Sequence, residues 1–531
     1  MEKINKTIGP LSCGCGMHSR RAFLSDCAKC LGAGALSGFV IPSILATEGC
    51  APNRDTKVRV VYVLWEPIQV RATWPNMGFD FNPVMETIIN TLTAGCRRIE
   101  FVQSIVSNPE NAEKLIAEDQ NAGNIDGFLV LQLNNWTEGI QQFVKTDKPV
   151  LYADFLYAGS GGFLTRTSAQ LRAKAANFAH LSSGNFAHLV AAVNCFPLAK
   201  ETGGVKAFVD GVTKIRKDIV AGVKVNMECM NDKIDCLSTD ELLKELKTKK
   251  ILAFESGADI RQAAKETLGI EFIDCKFAEL NDQWEKADKN QAMEIVKRWK
   301  NTATAILDVS DETLEKSARM YLAQKQCLKN HDACAITINC LGGFYGGHIQ
   351  AYPCLGFHEL LNEGLIGACE CDTISTFKQV VITTLTKGRP GFISDPVMDI
   401  ETKQIIYAHC VASNKAFGPE GASNPFTIMT HSEDRKGASL RSTLPTGYMT
   451  SSIKMHPHRK EILFHQSKSV DNSIEDRACR TKLATVPVGD FEKLYTEWDR
   501  WGWHRITFYG DLKKPVFALA DAIGWKVIEE A

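Results

Sequence analysis

From Val58 onward the chain alternates short apolar runs with amphipathic stretches, and this alternation narrows the possible folds more than any other feature. Residues 58–64 read as a strand, 84–93 as a helix, 98–102 as a second strand and 111–119 as a second helix. Further strands are expected at 127–131 and 149–152. Parallel strands need a crossover between them, and a helix of this length supplies one. Such a pattern predicts βαβ units and a doubly wound parallel sheet over residues 57–165.

A second α/β set follows over 166–374, with strands expected at 188–193, 251–254 and 335–338 and long helices at 198–221, 278–300 and 310–328. After about residue 375 the texture changes. Alternating segments such as 404–409 and 461–465 sit among Gly, Pro, Ser and Asn, which predicts a β-rich, barrel-like third domain over 375–531. The expected fold is therefore α/β: two doubly wound parallel α/β domains followed by a β-rich, barrel-like C-terminal domain. A chain of 531 residues has room for three domains at roughly 150 residues each.

The first fifty residues read as an address. Ser19-Arg20-Arg21-Ala22-Phe23-Leu24 precedes an uncharged stretch from Cys30 to Thr47, the layout of a twin-arginine export signal over 1–46 with cleavage after Ala46. Gly32, Gly34, Gly38 and Pro42 lower its helix propensity and argue against a permanent anchor. Export places the mature chain in the periplasm or outside the cell, with no stable membrane insertion after cleavage. A formal net charge of −1 offers no electrostatic footprint for nucleic acid. Of the 18 cysteines, those beyond the signal are scattered without paired C-x-x-C sites, so most are expected to be buried free thiols.

Two Gly-rich segments invite a site reading. Ala158-Gly159-Ser160-Gly161-Gly162 lacks the Lys-Ser/Thr of a phosphate-binding loop and is expected to be an interdomain turn or a lid. Residues 342–348 are expected to form a mobile loop. His456-Pro457-His458, followed by Arg459-Lys460, reads as a solvated turn. No Gly-x-Ser-x-Gly elbow and no His-Glu-x-x-His helix is present.

Chemistry concentrates between Cys354 and Tyr509. Glu370 and Asp372 sit in Ala-Cys-Glu-Cys-Asp, Asp395 ends an apolar run, His409 closes Tyr-Ala-His, and His504 follows Trp-Gly-Trp. Acids and histidines at the ends of apolar strands are costly to bury unless paired or bound to a cation. Mixed carboxylate oxygen and imidazole nitrogen suits Mn²⁺ or another divalent ion.

In these segments the chain resembles the L-fucose isomerase / L-arabinose isomerase family. Glu370 lies 25 residues before Asp395, His409 follows 14 residues after Asp395, and His504 precedes Arg-Ile-Thr-Phe-Tyr-Gly-Asp. The resemblance implies that Glu370 and Asp395 are the catalytic, metal-binding acids, that His504 is a further ligand, and that His409 is the ligand of the arabinose branch alone. It also implies a small-molecule sugar substrate, aldose–ketose isomerisation through a cis-enediol, and assembly into trimers or hexamers. Trp503 and Tyr345 are candidate substrate platforms, whereas Trp136 reads as an ordinary core aromatic. His431 and Arg441 belong to a polar cluster with no place in the isomerase scheme, and substrate contact is one role for them. An export signal is unexpected for a catabolic isomerase. A different carbohydrate reaction (epimerase, lyase or hydrolase) or a non-catalytic sugar binder therefore stays open as an alternative.

Overall fold

The computed structural model describes residues 54–255 and 259–531; the export signal read over 1–46 lies outside them. Five parallel strands form the first sheet: β1 (Thr56–Val63), β2 (Ile99–Val106), β3 (Gly127–Gln132), β4 (Val150–Asp154) and β5 (Phe178–Leu181). Their order is β2-β1-β3-β4-β5. Val58, Val60, Val61 and Val63 of β1 are all fully buried, as expected of a strand covered on both faces. Each such side chain contributes about 1.5–3 kcal/mol relative to exposure.

The first sheet extends past residue 165, because β5 pairs with β4 in parallel register. Residues 188–193 are a helix rather than a strand. Asn185 caps helix Phe186–Val193 by accepting from the Ala187 amide, and a short apolar run has no period that separates the two states. The single helix expected over 278–300 is two, Phe277–Lys286 and Lys289–Thr302, because the Asp288 carboxylate accepts from two amides and starts a new helix. That expected over 198–221 is a short 3₁₀ turn at Phe196–Lys200 followed by helix Gly204–Gly222.

The second sheet contains β6 (Lys250–Phe254), β7 (Glu271–Cys275), β9 (Ala335–Ile338) and β10 (Ile366–Ala368), all parallel, in the order β10-β9-β6-β7. Between them, β8 (Ala305–Leu307) leaves this sheet. Helix Asp311–His331 is capped by Ser310 and carries acids in its first turn and bases in its last, which complements the helix dipole.

The C-terminal part comprises β11 (Phe392–Asp399), β12 (Gln404–His409), β13 (Phe426–Met429), β14 (Ser439–Ser442), β15 (Met449–His456), β16 (Glu461–Asn472), β17 (Thr481–Pro487), β18 (Arg505–Tyr509) and β19 (Lys526–Glu529). Six of these run β15-β18-β11-β12-β17-β16, and pairing of β15 with β16 closes the ring into an antiparallel barrel. β19 adds to β16 in parallel, while β13 and β14 form a small sheet with β8 and so tie the barrel region back to the second α/β layer. Apolar packing is continuous across these units. One core runs from the first sheet into Phe392, Ile405 and Tyr407, and a second from the other sheet into Ile453, Ile506 and Phe508.

Beneath that packing lies a fully buried polar chain. Arg505 grips Glu530 through Nη2 at 2.6 Å and stacks 3.7 Å above Trp498. Glu530 also meets His465 Nδ1 at 2.9 Å, and His465 Nε2 lies 2.7 Å from the Tyr407 hydroxyl. Ten of the 13 cysteines among the described residues are buried. No helix among the described residues is long and apolar enough to cross a membrane.

Candidate active site

Both parallel sheets aim their loops at one place. In open α/β sheets, ligands collect outside the carboxyl ends of strands where the order reverses. In the first sheet that point lies between β1 and β3, and the segments leaving them carry Trp74, Asn135 and Trp136. In the second, loops after β9 and β10 carry Leu341, Glu370 and Asp372. The barrel adds Asp395, Lys454 and His504, the loop between β13 and β14 adds Glu433, and the whole encloses a cavity of about 350 Å³. A larger cleft of about 1070 Å³ lies between helices Lys289–Thr302 and Asp311–His331, but its walls include no histidine.

Register explains why distant residues meet. β11 pairs Ser394 with Arg505 of β18, which sets Asp395 opposite His504. It also pairs Asp395 with Ala408, next to His409. Glu370 enters from the loop after β10, where the Cys371 amide bonds the Ile338 carbonyl and the Glu370 amide bonds Cys340 Sγ. Glu370 and Cys371 both adopt the left-handed conformation, with φ of 63° and 46°. Non-glycine residues avoid that region at a cost of about 1–2 kcal/mol each, so the turn is held by its surroundings.

His504 Nε2 lies 3.6 Å from Glu370 Oε2 and 3.5 Å from Asp395 Oδ1. His409 Nε2 lies 3.5 Å from Glu370 Oε1. One ligand atom from each of Glu370, His409 and His504 falls within 4.8 Å of the others. Glu370 is the most open, with 28% of its side chain exposed, against 12% for Asp395, 7% for His504 and 3% for His409.

The two imidazoles differ in how they are held. His504 Nδ1 donates to Asp372 Oδ2 at 2.9 Å, which leaves the Nε2 lone pair facing the two acids. His409 Nδ1 instead accepts from the Cys410 amide at 2.9 Å, so its ring proton sits on Nε2 and points at Glu370. With Asp372 holding its Nδ1 proton, a neutral His504 offers Nε2 to a cation, and His409 Nε2 beside Glu370 belongs to the same three-residue cluster. Burial pushes the Glu370 carboxyl up, but the bond from His409 and the neighbouring imidazoles bring it below its ordinary value. Burial raises Asp395, the nearby Glu370 charge adds to it, and His504 only partly offsets them. For Asp372, burial is outweighed by Lys454 and by the His504 hydrogen bond, which hold it well below the usual carboxylate range.

Sequence reading missed Asp372 as a working residue, although its N-cap position was visible. One carboxylate oxygen accepts from the Ser375 amide to start helix Thr373–Leu385, and the other orients His504. It also missed Glu433 and Lys454. Glu433 accepts from the Tyr345 hydroxyl at 2.7 Å, and burial pushes its carboxyl up to about 8. Burial brings the Lys454 amine down to about 8 despite Asp372 nearby, and its Nζ donates to the His504 carbonyl at 3.1 Å.

Several expectations need correcting. Trp136 is no core aromatic: it is 46% exposed and stacks on Trp503, ring centroids 4.4 Å apart, at the cavity wall. Residues 158–162 are no lid, because they open the buried helix Ser160–Arg172. Glycine there permits close approach: a Cβ on Gly159 would lie 2.1 Å from the Gln132 carbonyl oxygen, and one on Gly162 2.0 Å from that of Asn135. Residues 340–345 are a short helix rather than a loop, capped by Asn339. His431 is buried against Asp434 (Nδ1–Oδ1 3.3 Å), and Arg441 Nε donates to the Arg480 carbonyl at 3.4 Å; neither lines the cavity. Tyr345 reaches it only through Glu433. His456 does line it, although its neighbours form the expected turn.

No family model matches the chain. A sulfoquinovose isomerase of Clostridium sp. (strain MSTE9) is 23% identical over 288 residues, 51% of this chain and 60% of its own length. The sulfoquinovose isomerase of Priestia aryabhattai is 22% identical over 218 residues, 40% and 48% of the two chains. The match thus spans about half the length of these curated relatives. A periplasmic ribose ABC transporter structure from Conexibacter woesei DSM 14684 covers 58% of this chain and 84% of its own at 13% identity, with a TM-score of 0.17, too low to indicate a shared fold.

Proposed function

We propose that this chain is a divalent-metal-dependent aldose–ketose isomerase of a small sugar, secreted by the twin-arginine route. The observation that carries the reading is the convergence of Glu370, Asp395 and His504 from three separate segments onto one cavity. Names of the curated relatives point to the same reaction class.

Isomerisation moves a proton between C1 and C2 through a cis-enediol. Two carboxylates beside those carbons can remove and return it, and Glu370 and Asp395 are the pair placed to do so. The donor cluster of Glu370, His409 and His504, with Asp395 beside His504, mixes carboxylate oxygen and imidazole nitrogen as Mn²⁺ or a similar ion takes them. Such an ion, when bound, polarises the carbonyl and stabilises negative charge on the sugar oxygens. Asp372 fixes the His504 tautomer, and the Trp136–Trp503 stack offers an apolar face to a sugar ring.

Lys454 and Arg500 line the same cavity beside the four carboxylates, and the curated relatives are named for a sugar that bears an anionic substituent. Sulfoquinovose, which carries a sulfonate, therefore stands beside fucose and arabinose as a test substrate. The expected result with Mn²⁺ is conversion of one of these aldoses to its ketose, with solvent deuterium entering at C1 or C2. Absence of any conversion across the panel with metal-loaded protein would overturn the reading.

Replacing Asp372 with Asn is expected to weaken Mn²⁺ binding by about 10–100-fold, because an amide no longer holds His504 with its Nδ1 proton inward. Calorimetric titration of metal-free protein checks this. Unchanged affinity would mean that the Asp372–His504 bond does not prepare a ligand.

A further inference from the structure

Outside the cavity, the joint between β7 and helix Asp311–His331 gathers side chains that the isomerase reading leaves unused. Cys275 is the last residue of β7, and Glu279 lies in the first turn of helix Phe277–Lys286. Cys327 and His331 are four residues apart on the long helix, one turn above the other on the same face. His331 Nε2 and Glu279 Oε1 are 2.7 Å apart. One ligand atom from each of Cys275, Glu279 and His331 lies within 4.8 Å of the other two.

We propose that Cys275, Glu279 and His331 form a second metal site, separate from the sugar cavity, for an ion of the zinc class. Thiolate sulfur, imidazole nitrogen and carboxylate oxygen are the ligand types such an ion takes, in tetrahedral arrangement. Cys327 lies one turn before His331 on the same helix but outside this three-residue cluster, so water supplies the fourth position. The two thiols are 3% and 0% exposed, whereas Glu279 and His331 keep 31% and 29% of their side chains open. The cluster thus has a closed sulfur side and an open side through which a hydrated ion enters.

An ion pair between His331 and Glu279 explains two of these residues and leaves two buried thiols beside a carboxylate. Binding expels the Cys275 proton to solvent and ties the end of β7 to the last turn of the helix.

Cobalt(II) is the probe, because thiolate ligation produces a strong near-ultraviolet charge-transfer band that an oxygen–nitrogen site does not. Metal-free wild type and Glu370→Gln are both expected to develop the band, and Cys275→Ser to lose it. Since His331 is partly exposed, His331→Ala keeps the fold and should weaken cobalt binding by about tenfold or more. Zinc should raise the melting temperature of wild type and not that of His331→Ala. A wild type without the band overturns the proposal, as does a band that survives both substitutions at full strength.

Discussion

Glu370→Gln is expected to lower turnover of the converted sugar by about 10²–10⁴-fold, the range a positioned acid–base group supplies. Glutamine keeps the size of the side chain and its hydrogen bond from His409, but it cannot accept a proton. It also removes one anionic ligand from the cation. These losses separate by measuring turnover at saturating Mn²⁺, where the defect in affinity disappears and the defect in proton transfer remains. The fold should tolerate the change, because the side chain keeps 28% of its surface in solvent and its ion pairs among the described residues are with His409 and His504. A melting curve close to wild type confirms that the loss is chemical. Full turnover in this variant would remove Glu370 from the reaction and leave the cavity without its proton-transfer pair.

Arg505→Met should act on stability, by about 3–5 kcal/mol, the cost of leaving one partner of a buried ion pair alone. Arg505 is 0% exposed and Glu530 1%, so no water replaces the missing guanidinium. Methionine fills much of the volume over Trp498 but supplies no charge. Removing both partners, with Glu530→Gln added, should recover part of the loss, since the uncompensated carboxylate is then gone. Chemical denaturation of the two variants and wild type checks this, and equal stability of all three would contradict it.

The same pair sets an acid limit. Burial would raise Glu530, but Arg505 and His465 bring its carboxyl down to about 2, below its ordinary 4.5. A depressed folded-state value contributes stability that is complete above about 4.5 and is lost as the pH falls through about 2. Wild type should therefore lose this contribution progressively across that interval.

Much of the architecture was legible because it is written in neighbouring residues. The valines of β1 are apolar on both faces, so a covered parallel strand is their natural state. The turn to short alternating segments after residue 375 likewise announced a barrel. Where the local signal was thin, reading failed. Residues 189–193 are apolar without a period, and only the Asn185 cap and packing against β4 and the neighbouring helices make this segment a helix. Gly159 and Gly162 looked like an interdomain turn or a lid, yet their lack of Cβ lets the helix start approach the backbone at Gln132 and Asn135.

The candidate site divides in the same way. Glu370, Asp395, His409 and His504 could be singled out because each is a polar group at the edge of an apolar run, where burial demands a partner. Asp372 carries the same mark, although only the structure shows its bond to His504; Glu433, Lys454 and Trp136 carry none, and His431 and Arg441 lie outside the cavity lining. Chain neighbours thus determined the strands, the barrel and the identity of the acids and imidazoles. Only the tertiary structure decided which of them share a cavity, which imidazole presents its lone pair and which aromatic ring faces solvent. The physical reason is range: backbone preference and hydrophobic period act over a few residues, whereas hydrogen-bond partners and burial come from segments tens to hundreds of positions away.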